Sequence, residues 1–422
     1  MSEEIFDCII IGAGASGLFC ASRLLSESKN KDRKLKVLLI DKNSSVAKKL
    51  RLTGNGRCNF SNSNIELDSY NTDSPEILKN IIGRYDSSFV CGIFENVLGV
   101  TYARNEELLY PATFKSETVA DSFMSYLSEN DVQFVFNSEV SDILVENDLV
   151  YVYCGGNSFV SKYAVIGCGG ASYPKTGSDG NFYKRLLKYC DRSDFEQILP
   201  GLVQLKTLET DIYSLKGIRV KSHIKLLDSE NLVLMSDFGE LLFTDYGISG
   251  IVTMQLSSKA IRYISKTGKK PTISVNLFGS LSADEVFSKL KRLKEMFPDR
   301  TLCGAFKGII DPDICLTVIR RLDISSDTKI SEVSERKLMS LSESFIDFRL
   351  TIVGSKGFDD AQITTGGLKL SSLNSDLSLK SNSCLYVCGE ILNVDGPCGG
   401  YNLQWAWSSA SCCADSILKR LS

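Results

Sequence analysis

A glycine pattern near the N-terminus constrains the fold more than any other feature of the sequence. Residues 11–17 read IGAGASG and match G-x-G-x-x-G. They follow the apolar run 5–11 and lead into a stretch with helical spacing, 16–28. A second apolar run, 35–40, comes next and ends in Asp41. This order predicts strand, tight turn, helix and strand. Apolar strands without alternation are typical of a parallel sheet covered on both faces, so we expect a doubly wound α/β fold.

The spacing of the glycines also predicts a binding site. Gly12 allows the tight turn, Gly14 lets the backbone approach a pyrophosphate, and Gly17 lets helix and strand pack closely. The phosphates then lie at a helix N-terminus, where free N–H groups and the helix dipole favour negative charge. Asp41 stands where a carboxylate accepts hydrogen bonds from a ribose diol. The pattern predicts a dinucleotide site; the alternatives are a glycine-rich turn and, for Asp41 alone, a turn residue at a strand end.

Composition narrows the class of protein. The chain has 422 residues, of which 43% are hydrophobic and 23% are charged, and its net charge is −3. It can fill real cores, but it has no broad field for gripping a nucleic-acid backbone or an anionic membrane, so we expect neither partner. The start MSEEIFDCIII lacks the basic residues and cleavage site of a secretory signal, and no apolar run approaches the roughly 20 residues that cross a bilayer. We expect a soluble, cytoplasmic protein and make no prediction of its oligomeric state.

The cysteines argue against both a disulfide framework and a metal site. Fourteen cysteines are scattered along the chain, with one histidine, His223, and no Cys-x-x-Cys. A zinc site needs paired ligands at short spacing, so we expect no metal. Buried, reduced thiols in a cytosolic protein fit this distribution better.

The pattern along the chain predicts an insertion. Further apolar strands are expected at 132–136, 149–153, 163–168 and 384–388, the last more than two hundred residues beyond the others. Alternating segments from about 200 to 276 predict antiparallel sheet or a small barrel, and helical spacing follows over 281–342. We therefore expect a dinucleotide domain made of 1–195 and 359–422, an inserted β-barrel of 196–280 and 343–358, and a helical subdomain of 281–342.

Three downstream segments bear on the choice between FAD and NAD. The segment 52–62, LTGNGRCNFSN, predicts a backbone-rich loop suited to a flat polar ring system and its phosphate tail. The segment 165–170, VIGCGG, predicts a strand that ends in glycines beside the cofactor. In 389–407 a turn carboxylate and a Gly-Gly precede a helix, whose positive end would stabilise a reduced flavin. Together they favour FAD; the alternatives are an irregular surface loop for the first segment and a turn before a packing helix for the third.

These segments resemble an FAD-dependent family that includes aminoacetone oxidases, 3-dehydro-bile-acid Δ4,6-reductases and NAD(P)/FAD-dependent oxidoreductases. The matching stretches keep the family's order over nearly the whole chain: IIGAGASGL, KKLRLTGNGRCNFSN, LLYPATFKSETVADSF, VIGCGGASYPKTGSDG, GELLFTDYGISG and GEILNVDGPCGGYNLQWAWSSA. The resemblance implies a glutathione-reductase-like Rossmann FAD domain formed by both chain ends, with an inserted β-barrel and a helical subdomain. This chain departs from many relatives at Asp245, Ile251 and Cys398, where they carry His, Pro and Thr.

The resemblance also implies the residues that contact FAD. They are Gly12, Gly14, Ala15, Ser16, Gly17, Asp41, Lys42, Gly54, Gly56, Arg57, Cys58, Asn59, Val140, Gly169, Gly170, Glu390, Gly400, Tyr401, Asn402 and Leu403. Catalytic residues stay unassigned, and the candidates for a substrate-side acid or base are Tyr401, Tyr173, Asp245 and Lys175.

The functional hypothesis is hydride transfer between a small organic substrate and flavin N5. The chain has no second G-x-G-x-x-G between a strand and a helix. If NADH or NADPH is the electron donor, we therefore expect it to bind transiently rather than in a Rossmann domain of its own. Arg57 and the helix after Gly400 are candidates for stabilising reduced flavin. Cys58 has no cysteine at short spacing, which disfavours disulfide reduction. The alternatives are an amine oxidase that uses O₂, an FAD-dependent protein that binds or modifies tRNA, and a flavin sensor without turnover.

Overall fold

The computed structural model describes residues 4–29 and 34–422, so Met1 to Glu3, the start of the N-terminus discussed above, lie outside the described residues. The chain divides into two units, one of residues 1–200 and 362–422 and one of residues 201–361. The observed boundary after residue 200 lies a few residues beyond the predicted boundary at 195. The observed boundary after residue 361 lies a few residues beyond the predicted boundary at 358. Within the described ranges, no helix is long and apolar enough to span a membrane.

The first unit begins with a strand, a helix and a strand, as its glycine pattern predicts. Its elements up to the division are β1 (Ile5–Ile11), α1 (Ala15–Lys29), β2 (Val37–Ile40), β3 (Ser61–Asn62), β4 (Asn71–Thr72), α2 (Pro75–Arg84), α3 (Ser87–Asn96), β5 (Tyr102–Asn105), β6 (Leu108–Pro111), α4 (Ser116–Glu129), β7 (Gln133–Val135), β8 (Val140–Glu146), β9 (Leu149–Cys154), β10 (Asn157–Ile166), α5 (Asn181–Leu186) and β11 (Phe195–Gly201).

The second unit holds a closed barrel and five helices. Its elements are β12 (Leu205–Thr207), β13 (Arg219–Leu227), β14 (Val233–Phe243), β15 (Gly247–Ser249), α6 (Ile251–Thr267), β16 (Thr272–Asn276), α7 (Ala283–Met296), α8 (Leu302–Phe306), α9 (Pro312–Arg321), α10 (Glu335–Ile346) and β17 (Phe348–Ser355). The barrel closes in the order β12, β15, β14, β13, β16, β17. The predicted barrel and helical region are therefore confirmed as parts of the fold.

The chain then returns to the first unit. Its last elements are β18 (Ile363–Leu368), β19 (Ser378–Leu379), β20 (Asn382–Val387), β21 (Val394–Asp395) and α11 (Tyr401–Leu421). The main sheet has the order β19, β20, β10, β1, β2, β7. The neighbours β20, β10, β1, β2 and β7 pair in parallel, with Ile9 opposite both Ala164 and Leu38. The predicted doubly wound domain made from both chain ends is confirmed.

The core of the first unit explains why the N- and C-terminal segments fold together. Helices α1 and α11 pack against each other, and the rings of Phe19 and Trp407 lie 5.1 Å apart. Trp407 is fully buried, and its indole N–H donates to the Phe60 carbonyl at 2.8 Å. Each fully buried aliphatic or aromatic side chain of this kind contributes on the order of 1.5–3 kcal/mol. Arg23 of α1 also pairs with Asp415 of α11 at 3.0 Å.

The sequence interpretation was wrong for one element of the second unit. The segment 200–276 was expected to be sheet throughout, yet α6 forms a 17-residue helix inside it. Its buried residues Val252, Leu256 and Ala260 recur every four positions, which is the helical period rather than the strand period of two. Glycines 250 and 268 bound the helix with φ of 99° and 68°. The alternation of the flanking strands concealed this change of period.

Candidate functional site

The glycine turn between β1 and α1 has the geometry that its spacing predicts. Gly12 has φ 107°, and a Cβ there would lie 2.6 Å from the Gly167 carbonyl oxygen. A Cβ at Gly17 would lie 1.9 Å from the Gly12 carbonyl oxygen. A Cβ at Gly14, in contrast, would meet no described atom within 4 Å. Two glycines are thus required by the packing of the turn, and the third leaves its backbone open to a cavity.

The start of the helix that follows lies at that cavity. Helix α1 starts at Ala15 and has no acidic residue in its first turn. The first N–H groups of a helix have no intrahelical acceptor, and the helix dipole adds positive potential there. Ala15 and Ser16 both line the cavity. This end of the helix is suited to bind an anionic group such as a pyrophosphate.

Asp41 lies at the end of β2 and is tied to the glycine turn. Its Oδ2 accepts from the Ala13 N–H and its Oδ1 from the Asn43 N–H, each at 2.7 Å. A carboxylate oxygen has further acceptor capacity after one hydrogen bond. Asp41 can therefore orient the turn and still accept bonds from a ribose diol.

A loop after β10 lies against the residues that follow Asp41. The Lys42 ammonium contacts Asp179 Oδ2 at 2.7 Å, and the Asn43 side chain donates to the Thr176 carbonyl at 3.0 Å. Thr176 and Asp179 both line the cavity. The loop therefore forms one wall of the site, and its ion pair with Lys42 connects it to the end of β2.

A second ion pair joins the two distant parts of the first unit inside the cavity. Lys49 Nζ lies 2.5 Å from Glu390 Oε2 and 2.5 Å from Ser172 Oγ. Glu390 Oε1 accepts from Ser172 Oγ at 2.7 Å and from the Thr364 N–H at 2.8 Å. Burial alone would raise the pKa of Glu390, but the Lys49 charge and these hydrogen bonds outweigh it and lower the pKa below its usual value. Glu390 is therefore ionised at neutral pH.

The loop predicted to contact FAD, 52–62, takes an unusual backbone path in its first half. Gly54, Asn55, Gly56 and Cys58 all have φ between 54° and 81°. Cys58 is fully buried, and burial raises the pKa of its thiol to about 12. Its chemistry in this setting is that of a packing residue rather than a nucleophile. Arg57 is exposed.

The start of α11 is held by protein contacts. Gly400 has φ 91°, and a Cβ there would lie 2.3 Å from the Ser61 carbonyl oxygen. The Tyr401 ring packs on Tyr70 at 5.3 Å, so its side chain takes part in the core rather than in the cavity. The Asn402 amide donates to the Gly396 carbonyl and accepts from the Gly396 N–H, both at 2.9 Å.

The structure brings most of the predicted cofactor residues to one cavity and leaves others outside it. Those lining the cavity are Gly12, Gly14, Ala15, Ser16, Asp41, Lys42, Val140, Gly169, Gly170, Glu390, Asn402 and Leu403. Those not lining it are Gly17, Gly54, Gly56, Arg57, Cys58, Asn59, Gly400 and Tyr401.

The remaining candidates lie away from this cavity. Tyr173 and Lys175 are close in sequence to residues that line the cavity but do not line it themselves. Asp245 is an exposed residue of the second unit and forms an ion pair with Lys216. No group of three potential metal ligands occurs in residues 4–29 and 34–422.

Sequence reasoning missed several residues of the cavity wall. Lys49, Ser178, Arg185, Gln362 and Trp405 all line it. The Ser178 Oγ is buried and has no hydrogen-bond partner within the described ranges. A buried hydroxyl without a partner is costly, which fits a wall that binds a polar group. The signal for Lys49 was present in KKLRLTGNG, but only the fold shows that it meets Glu390.

Comparison with known proteins gives similar chains over nearly full length. The chain is 28% identical over 404 residues to 3-dehydro-bile acid Δ(4,6)-reductase of Clostridium scindens, covering 95% of this chain and 96% of the relative. It is also 28% identical over 422 residues to ribosomal RNA dihydrouridine synthase of Escherichia coli, covering 98% of each. Among solved structures, 3-ketosteroid Δ1-dehydrogenase of Sterolibacterium denitrificans aligns over 99% of this chain and 100% of that one, at 10% identity and a TM-score of 0.49.

A family model covers almost the entire chain. The description of that family is HI0933-like protein Rossmann domain, and it matches residues 6–416. The match agrees with the parallel sheet and the glycine turn described above, and the family and enzyme class predicted from the motifs are confirmed. The chain therefore belongs to the HI0933-like family of Rossmann-fold, FAD-dependent oxidoreductases.

Proposed function

We propose that this protein is an FAD-dependent reductase that adds hydrogen to a carbon–carbon double bond of a small organic substrate, with NADH or NADPH as the electron donor. The observation that carries the proposal is a single cavity that joins the glycine turn and Asp41 to Glu390 and the start of α11. Its wall combines backbone groups, charged side chains and apolar residues, as is usual for a cofactor site.

Three features of the cavity fit FAD. The backbone at Gly14 is open, and the first turn of α1 offers N–H groups that would hold the pyrophosphate. Asp41 retains acceptor capacity for the ribose hydroxyls. Ser178 offers a buried hydroxyl that lacks a partner among the described residues. When bound, FAD supplies a two-electron carrier that accepts and donates hydride at N5.

The start of α11 would favour the reduced state of a bound cofactor. The Lys49 ammonium also lies in the cavity wall, but the ionised Glu390 neutralises it, so the pair adds little net charge. The N-terminus of the 21-residue helix α11 supplies positive potential, with Asn402 and Leu403 at the cavity. Such preorganised positive potential stabilises negative charge that develops during reduction. Arg57, which we expected in this role, is exposed and does not line the cavity.

The names of the relatives support a reductive reaction on a double bond. One relative is a Δ(4,6)-reductase and another is a dihydrouridine synthase, and both names describe the addition of two hydrogens to a ring. The two substrates differ greatly in size and charge, so the shared element is the reaction class. A carbonyl conjugated to the double bond would make the acceptor carbon electrophilic, and we propose an enone-like group as the substrate class.

The proposal is tested with purified protein loaded with FAD. A flavin absorption spectrum should appear, and anaerobic NADH or NADPH should bleach it. Adding a cyclic enone should then restore the oxidised spectrum, with one saturated product formed for each donor consumed. A protein that fails to bind FAD would refute the cofactor assignment, and a reduced protein that no enone reoxidises would refute the reaction class.

Two other activities remain to be separated by experiment. An amine oxidase would reduce its FAD with a small amine such as aminoacetone and would reoxidise rapidly in O₂, so slow reoxidation in stopped-flow mixing argues against it.

A ribosomal RNA reductase is favoured by the full-length match to the Escherichia coli relative, whereas the net charge of −3 disfavours RNA binding. Reoxidation of the reduced protein by ribosomal RNA but not by enones would establish the RNA activity.

A further inference from the structure

The helical part of the second unit brings two cysteine side chains together. Cys303 lies on α8 and Cys315 on α9, and their Sγ atoms are 3.4 Å apart. Each helix start is fixed by a side-chain cap: Thr301 Oγ1 accepts from the Gly304 N–H, and Asp311 Oδ1 accepts from the Asp313 N–H. The two thiols are therefore placed by anchored helices, and their contact does not depend on a free loop.

The environment gives the two thiols different roles. Cys315 is fully buried, whereas Cys303 is partly exposed. A hydrogen bond with Cys315 lowers the pKa of Cys303; burial opposes this effect, and among the charged groups Arg320 lowers the pKa and Asp313 raises it. The hydrogen bond to Cys303, followed by burial, raises the pKa of Cys315. An accessible thiol with a lowered pKa beside a protected thiol is the arrangement of an attacking and a resolving cysteine.

We propose that Cys303 and Cys315 form a redox-active dithiol, a modification site that a peroxide closes to a disulfide. The Cys303 thiolate attacks the peroxide, its sulfur gains a hydroxyl group, and the O–O bond breaks to release hydroxide, which takes up a proton to become water. The Cys315 sulfur then attacks this sulfenic acid, the S–S bond forms, and a second water leaves. The two thiols supply the two electrons, and a dithiol reductant reverses the reaction by exchange.

A second thiol pair in the chain serves as an internal comparison. Cys388 and Cys413 of the first unit also influence each other electrostatically, and both are fully buried. Burial raises the pKa of Cys413 well above its ordinary value. Because oxidants attack the accessible thiolate, we expect this pair to stay reduced while the protein is folded.

The experiment is peroxide treatment of the native, full-length protein, followed by alkylation and peptide mapping. Cys303 and Cys315 should lose alkylation together, at least about tenfold faster than Cys388 and Cys413, and dithiothreitol should restore it. The proposal is wrong if Cys303 and Cys315 of the peroxide-treated protein are still alkylated when the protein is unfolded in the alkylating reagent. It is also wrong if Cys388 and Cys413 are oxidised equally fast.

Variants assign the order of attack. Cys315→Ser should leave Cys303 as a sulfenic acid that dimedone traps, and Cys303→Ser should leave Cys315 unmodified. Cys384→Ser, at a partly exposed cysteine of the first unit, is the matched control and should not change the rate at Cys303. Dimedone on Cys315 in the Cys303→Ser protein would overturn the assigned roles. The wild-type mapping stands even if a variant fails to fold, and none of these measurements depends on the proposed reductase activity.

Discussion

Lys49 Nζ lies 2.5 Å from Glu390 Oε2, although 341 positions separate the two residues in the sequence. The contact joins the N-terminal and C-terminal parts of the first unit at the wall of the cavity. Each side chain is 22% exposed, so the pair is largely withdrawn from water without being sealed from it. Breaking such a pair leaves a partly buried charge without its partner, which is costly for both folding and binding.

The first prediction concerns Lys49→Met. The substitution should lower the free energy of unfolding by about 1–3 kcal/mol and weaken FAD binding by about tenfold, because Glu390 is left as an uncompensated charge in the cavity. Denaturant melts and FAD titration of the apoprotein measure the two effects. The double variant Lys49→Met/Glu390→Gln should recover part of the lost stability. If Lys49→Met were as stable as the wild type, the ion pair would not contribute to stability.

The pH dependence of stability follows from Glu390. Its pKa is lowered in the folded protein, so at neutral pH the carboxylate stabilises the fold. That contribution is complete above the unfolded value of about 4.3 and is lost as pH falls through the folded pKa. Thermal melts between pH 7 and pH 3 should therefore show a steeper loss of stability in the wild type than in Glu390→Gln. Parallel curves would contradict the assignment.

The glycines of the turn should separate folding from cofactor binding. Gly17→Ala puts a Cβ 1.9 Å from the Gly12 carbonyl oxygen and should disrupt the turn, lowering the yield of folded protein. Gly14→Ala meets no described atom within 4 Å and should fold normally. Its methyl group nevertheless takes space where the backbone faces the pyrophosphate, so FAD binding should fall at least about tenfold. Circular dichroism and FAD titration distinguish the two outcomes, and normal FAD binding by Gly14→Ala would contradict the placement.

Local patterns predicted the frame of this site well, because each of its motifs is a short continuous segment of the sequence. The glycine turn, Asp41 and the strands beside them follow from period, spacing and residue type. What the sequence could not predict are contacts between distant segments, such as Lys49 with Glu390, and the unpaired Ser178 hydroxyl. Helix α6 was missed because the adjacent barrel strands alternate between apolar and polar residues, and the whole segment was interpreted by that pattern.

The loop that carries Asp179 should control how long the cofactor stays bound. Asp179 pairs with Lys42 at 2.7 Å, and the two side chains are 29% and 27% exposed, so the pair contributes on the order of 0.2–1 kcal/mol. Asp179→Asn keeps the shape of the side chain and removes its charge. We expect FAD to dissociate about two- to fivefold faster from this variant. The rate is measured at low salt by capturing the released FAD with an excess of a different apoprotein that binds FAD tightly.

A matched control for this experiment exists in the same unit. Asp131 pairs with Lys34 at 2.8 Å, but both side chains are more than two-thirds exposed and neither lines the cavity. Asp131→Asn should therefore leave the FAD dissociation rate unchanged. Raising the salt concentration should narrow the difference between wild type and Asp179→Asn, because the Lys42 contact is electrostatic and partly open to solvent. If Asp179→Asn and Asp131→Asn release FAD at the same rate, the loop is not fastened over the cofactor by its ion pair with Lys42.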